Sequence, residues 1–306
     1  MTRTRTLRAS TALAGLAVVA LAATACGSSD SALGGGEASQ DNVVVASANF
    51  PENELLAEIY AGGLEAEGVN VSKKLNIGAR EVYLGAMQNG EISLIPDYTG
   101  NLLLQYQQDA TAASSDEVYS ALQEALPADI KVLEYSPAED KDVLAVTPAT
   151  AEQYGLTSIE DLVPVCGQLV VGGSGSFETR QAGLVGLADK YGCTFQRFQT
   201  LDTGGPLTKQ ALQDGSVQVA DLYSTDPSLV DGTFVSLEDP MNVFPAQNVV
   251  PLYKEGTLSD AAQTKLNTIS AALDTTTLAS LLRQVTVDNQ PAQTVAAQWL
   301  SENDLG

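Results

Sequence analysis

Val43-Val-Val-Ala46, the helix-period segment Asn53 to Glu67, a second such segment from Arg80 to Gln88, and the run Glu91-Ile-Ser-Leu-Ile95 leading into Pro96 follow one another in the first hundred residues. The first run is β-branched and short, as a buried strand requires. Leu55, Leu56, Ile59, Tyr60 and Leu64 recur at helical spacing and give that segment one apolar side. Asn89-Gly90 suits the left-handed position that closes a helix. Strands alternating with helices in this way predict an α/β fold.

The alternation continues outward. Asp142–Val146, Leu169–Gly172 and Val217–Ala220 read as strands, with helices over Thr179–Tyr191 and Leu207–Asp214. The end changes character: Ser259–Leu273, Thr276–Val287 and Pro291–Asn303 are three helices, and the sole Trp, Trp299, falls in the core. The expectation is two α/β lobes with mostly parallel sheets and a helical C-terminal tail. The chain is expected to cross twice, at Asp142–Val146 and back at Val249–Leu252. That division gives lobe I as 42–143 plus 250–306 and lobe II as 144–249, with a ligand cleft between them that closes by hinge motion.

Composition removes several functions. The 306 residues include 15 Lys plus Arg, 38 Asp plus Glu, no His and 3 Cys, for a formal charge of −23. Without His there is no His-based triad or metal cluster. The acidic balance excludes nucleic acid as a partner, since affinity there comes from basic side chains on phosphates. Apolar residues at 44% describe an ordinary globule with ample core.

The N-terminus reads as an export signal over residues 1–26. Arg3, Arg5 and Arg8 precede an apolar stretch from Ala12 that is too short for a stable span, and Ala23-Thr24-Ala25 leads into Cys26. That pattern is similar to a bacterial lipobox, with Cys26 as the lipidated residue; simple secretion with Cys26 unmodified is the alternative. Residues 27–41, rich in Gly and Ser, form a flexible tether. Loss of residues 1–25 leaves 12 basic and 38 acidic side chains, a charge of −26. The expected address is the extracytoplasmic face of the bacterial membrane, lipid-anchored. Cys166 and Cys193 remain as an even pair in an exported chain and most simply form a disulfide, with two free buried thiols as the alternative.

Catalytic constellations are poorly supported. Ser174 in Gly172-Gly-Ser-Gly-Ser176 has no His as base, and reads equally as a loop meeting a polar ligand group or as a plain turn. Asp221 and Asp226, or Asp140 and Asp142, would serve acid–base chemistry only in a shared cleft with separated pKa values. Tyr98 and Tyr223 stand out, each following a strand at its carboxyl end, where such folds place their ligands. An aromatic face there holds a quaternary ammonium, at about 0.5–2 kcal/mol per ring.

Six stretches carry a resemblance together. They are Ala46-Ser-Ala-Asn-Phe-Pro-Glu-Asn53, Asn76-Ile-Gly-Ala-Arg-Glu-Val-Tyr-Leu-Gly-Ala-Met87, and Gly90-Glu-Ile-Ser-Leu-Ile-Pro-Asp-Tyr-Thr-Gly-Asn101. Gly175-Ser-Phe-Glu-Thr-Arg180, Asp202-Thr-Gly-Gly-Pro-Leu-Thr208 and Gly215-Ser-Val-Gln-Val-Ala-Asp-Leu-Tyr-Ser-Thr-Asp-Pro227 complete the set. In order and spacing they resemble the substrate-binding lipoproteins of ABC importers for glycine betaine, carnitine and choline. The resemblance implies a type II periplasmic-binding-protein fold, a monomer that serves membrane permease subunits, an aromatic cage for a trimethylammonium group, no cofactor and no catalysis. It places Tyr98, Asp142 and Tyr223 around the cation, with Asn49, Asn101, Arg180 and Thr225 as polar contacts and Arg180 able to meet a ligand carboxylate. Three positions depart from the family pattern. Asp142 stands where a cage Tyr is common, Ala48 where a Lys is common, and Asn101 where a Thr is common. These changes favour a choline-like cation over a zwitterion, and leave open a more polar solute that is not an ammonium. A surface enzyme using Asp221 or Asp226, and a sensor without a permease, are the alternatives from other classes.

Overall fold

The computed structural model describes residues 42–306; the expected signal segment, Cys26 and the tether lie outside them. Ten strands form two five-stranded sheets. The first sheet orders β2 (Val71–Lys74), β1 (Val43–Ala46), β3 (Leu94–Tyr98), β10 (Val249–Lys254) and β4 (Ile130–Val132). The second orders β7 (Arg197–Thr200), β6 (Val170–Gly173), β8 (Val219–Tyr223), β5 (Asp142–Val146) and β9 (Val235–Ser236). Both are mixed and not mostly parallel. In each sheet three parallel strands meet an antiparallel one, β10 in the first and β5 in the second. The reason is connectivity: β5 and β10 are the strands on which the chain arrives from the other sheet, so neither follows a right-handed helical crossover of its own.

Helices cover both faces of each sheet, as an α/β core requires. Helix Pro51–Ala66 begins with Pro at its first turn, a position where the missing N–H costs nothing. It buries Leu55, Leu56, Ile59, Tyr60 and Leu64 against the helices Asp260–Ala272, Thr275–Thr286 and Ala292–Glu302, and Trp299 joins this core. The opposite face of the first sheet packs on helices Arg80–Gln88, Thr99–Tyr106 and Ser115–Ala125. Gly90 ends helix Arg80–Gln88 with φ +74°, while Asn89 stays right-handed. Glu91 N closes that helix on Ala86 O, so β3 starts at Leu94 instead of Glu91 and runs through Pro96 to Tyr98. Pro96 lies opposite Pro251 in the β3–β10 register, so neither proline is asked to donate a hydrogen bond to the other.

The expected helix Thr179–Tyr191 is broken. A short helix Gly175–Thr179 is followed by helical stretches Gln181–Val185 and Leu187–Tyr191, with Ala182 and Gly183 outside helical geometry. A Cβ on Gly183 would stand 2.2 Å from Phe177 O, so only glycine permits the fold-back. Cys166 and Cys193 are joined by a disulfide. Between the sheets the chain passes twice, through extended stretches directly before β5 and β10. The two passages touch at a bridge between Glu139 and Asn248.

Candidate functional site

A cavity of about 650 Å³ opens where loops of the two sheets meet. Its first wall is the loop after β1 and the start of helix Pro51–Ala66. Ser47, Ala48, Asn49 and Phe50 are held there by Asn53, whose Oδ1 accepts from Ala48 N at 2.7 Å. Asn53 Nδ2 donates to Pro96 O at 2.9 Å. One buried amide thus ties the loop to β3. Its second wall is the end of β3. Asp97 accepts from Arg80 Nη2 at 2.6 Å, Tyr83 Oη at 2.7 Å and Tyr98 N at 2.8 Å. This network fixes Tyr98 with its ring toward the cavity, stacked on Phe50 at 6.1 Å between centroids and 29° between planes.

The opposite wall comes from the second sheet: Tyr223 at the end of β8, and Thr225, Asp226 and Pro227 after it, with Lys209. Lys209 Nζ sits 3.0 Å from Asp226 Oδ2. Asp140 enters from the first passage between the sheets, and its Oδ1 accepts from Thr225 Oγ1 at 2.9 Å. Asn101 lines the first side, where its backbone N–H donates to Gln247 Oε1 at 2.9 Å. Leu282 and Thr286 close one end.

Five of the seven expected site residues therefore line this cavity: Asn49, Tyr98, Asn101, Tyr223 and Thr225. Asp142 and Arg180 do not. Arg180 Nη2 is 2.6 Å from Asp142 Oδ1, and the pair lies beside Tyr223, which faces Asp142 across the β5–β8 ladder. An ion pair of this kind satisfies the carboxylate internally, so Asp142 does not present a free charge to the cavity.

Among the lining residues absent from that expected set, Phe50, Glu52 and Asp140 matter most for the chemistry. Phe50 had a signal, an aromatic next to Asn49 and directly before a helix-starting Pro. Glu52 reads as an ordinary first-turn acid that suits the helix dipole. Asp140 lies in an acid-rich stretch where most carboxylates are solvated. In the fold, Glu52 is 4% exposed and accepts from Tyr98 Oη at 2.7 Å. Burial pushes its carboxyl above the usual range, against the hydrogen bonds of Tyr98 and Thr225. Asp140 is raised well above its usual value by burial first and by the charge of Glu52 next. The Tyr98 hydroxyl is raised as well, by burial and then by Glu52. Aromatic faces with an excess of carboxylate are a surface that attracts an organic cation.

Among the described residues there is no group of three or more potential metal ligands of the His, Cys, Asp and Glu types placed to hold an ion. No helix there is long and apolar enough to cross a membrane.

The chain is 28% identical over 265 residues to the glycine betaine-binding protein YehZ of Escherichia coli, covering 82% of this chain and 87% of that protein. It is 25% identical over 284 residues to a glycine-betaine-binding protein of Pseudomonas aeruginosa, covering 88% and 90%. Its fold is similar to the crystal structure of a glycine betaine/carnitine/choline ABC transporter protein, with a TM-score of 0.80 and 20% identity over 86% of this chain and 99% of that one. Residues 41–302 match the model of the substrate-binding domain of ABC-type glycine betaine transport systems, and the chain belongs to that family.

Proposed function

We propose that this substrate-binding component captures a quaternary-ammonium solute of the choline, glycine betaine and carnitine class in the cavity between its two sheets, and hands it to ABC permease subunits unchanged. The observation that carries the reading is the Phe50–Tyr98 stack facing Tyr223 across a cavity that also contains Glu52 and Asp140. Rings supply polarisable faces to the methyl groups and carboxylates supply the countercharge. Asn49, Asn101 and Thr225 line the same space and suit the polar end of the solute. The chain segments 42–143 plus 250–306 and 144–249 act as two lobes that close over the ligand at the Glu139–Asn248 bridge. A monomer suffices for this role. Cys26 carries the lipid that holds it on the extracytoplasmic face of the membrane.

The test is a thermal-shift series against choline, betaine, carnitine, proline, sugars and polyols. A ligand at about 100 times its Kd stabilises by about 2.7 kcal/mol. A shift confined to the quaternary amines supports the reading; a response only to sugars or polyols removes it.

A further inference from the structure

Glu52 and Asp140 approach the cavity from different parts of the chain, and among the described residues neither has an ion-pair partner. Glu52 sits on the first turn of helix Pro51–Ala66, facing Tyr98 of β3 and Thr225 beyond β8. Asp140 sits on the passage before β5, bonded to Thr225, with the charges of Glu52, Asp142 and Asp226 around it. The nearby cations are committed to other acids. Arg80 pairs with Asp97 at 2.6 Å, Lys141 with Glu139 at 2.6 Å, Arg180 with Asp142 at 2.6 Å and Lys209 with Asp226 at 3.0 Å.

We propose that Glu52 and Asp140 set the charge preference of the cleft by jointly holding one proton when it contains no organic cation and releasing that proton when a cation binds. This deepens the quaternary-ammonium reading and rests on it. Two carboxylates in one poorly solvated space resist ionising together, and a proton between them removes that conflict. The balance is simple. The singly protonated pair has one negative charge; the complex of a monocation with the doubly ionised pair has one as well, and the proton leaves to solvent. Desolvation of both groups, Glu52 buried and Asp140 half-buried, and the charge that Glu52 places on Asp140 favour the protonated form in the empty site. A zwitterion brings its own carboxylate, so it relieves less of the negative potential and displaces less proton. The pair therefore favours a net cation over a zwitterion, and makes cation affinity depend on pH.

The experiment is calorimetric titration of the full-length protein with choline, and separately with betaine, in two buffers of different ionisation enthalpy from about pH 5 to about pH 8. The expected result is release of a substantial fraction of one proton per choline and less per betaine. Choline affinity then rises with pH by up to about tenfold per unit in the range where the pair titrates. D140N, and independently E52Q, abolish the release and flatten the pH profile. Choline binding with no proton release and a flat profile in the wild-type protein overturns the inference while leaving the quaternary-ammonium reading intact. Binding of neither choline nor betaine at any pH overturns both. The wild-type proton count carries the test even where a variant folds poorly.

Discussion

Arg180 Nη2 lies 2.6 Å from Asp142 Oδ1 and 3.8 Å from Asp221 Oδ2, so one guanidinium serves two carboxylates. Asp221 is the worse served. Its Oδ1 has no hydrogen-bond partner, and its carboxyl is pushed up to about 8 by burial first and by the charge of Asp142 second. A carboxyl whose folded pKa is raised binds its proton more tightly in the native state. It contributes stability below the unfolded value of about 4, and that contribution is lost as pH rises toward about 8. Asp221→Asn removes this dependence. The variant is expected to gain on the order of 2 kcal/mol relative to wild type at alkaline pH and little at about pH 4. Urea melts at the two pH values measure it, and an equal effect at both ends would contradict the assignment.

Tyr98 has two duties that separate by mutation. Its ring stacks on Phe50, and its hydroxyl satisfies buried Glu52. Tyr98→Leu removes the ring and is expected to weaken a quaternary ammonium by about 2- to 30-fold. Tyr98→Phe keeps the ring but leaves the Glu52 oxygen without its donor, costing about 1–3 kcal/mol of stability. Binding isotherms and thermal melts on both variants give the split. An affinity loss equal in the two would argue against a stacking role.

Much of the fold was legible because periodicity is a local property. The apolar spacing in Asn53–Glu67 placed the helix, and the β-branched runs placed β1, β5, β6 and β8. The short edge strands Val71–Lys74, Arg197–Thr200 and Val235–Ser236 gave no such pattern, since partial exposure and polar residues blur their alternation. The break at Gly183 depends on contact with Phe177 O, which no local rule reveals. In the site, the Tyr residues at strand ends were visible from strand position alone. Asp142 was drawn into the expected ligand set by its motif position, but Arg180 from a distant segment takes its charge. Glu52 and Asp140, 88 residues apart in the chain, come into one space only when both sheets are assembled.

Gly100 ties the cavity to the return passage between the sheets. A Cβ there would stand 2.5 Å from Ala246 O and 3.0 Å from Gln247 Nε2, next to the Gln247–Asn101 hydrogen bond. Gly100→Ala is expected to lower stability by about 1–3 kcal/mol through overpacking. It should also weaken ligand binding, because Asn101 and Gln247 shift together. A variant with lower melting temperature and unchanged affinity would show that the passage tolerates the shift.

The Cys166–Cys193 bridge closes a sequence separation of 27 residues in the second sheet's core, away from the cavity. Its removal by paired Ser substitution is expected to cost about 3–4 kcal/mol on the chain-entropy account. Ligand affinity at temperatures where the variant is folded should stay within about twofold, given additivity of separated sites. Melting curves with and without reductant, and titrations on the folded variant, test the two halves of this statement.

The central claim is that the cavity recognises a positive charge and not only a shape. The most direct measurement compares choline with 3,3-dimethylbutan-1-ol, which replaces the charged nitrogen by carbon and keeps the outline, in parallel titrations near neutral pH. The aromatic rings together with Glu52 and Asp140 predict that choline binds at least about tenfold more tightly, a difference of about 1.4 kcal/mol. Equal affinity for the two, or tighter binding of the neutral alcohol, would contradict the account.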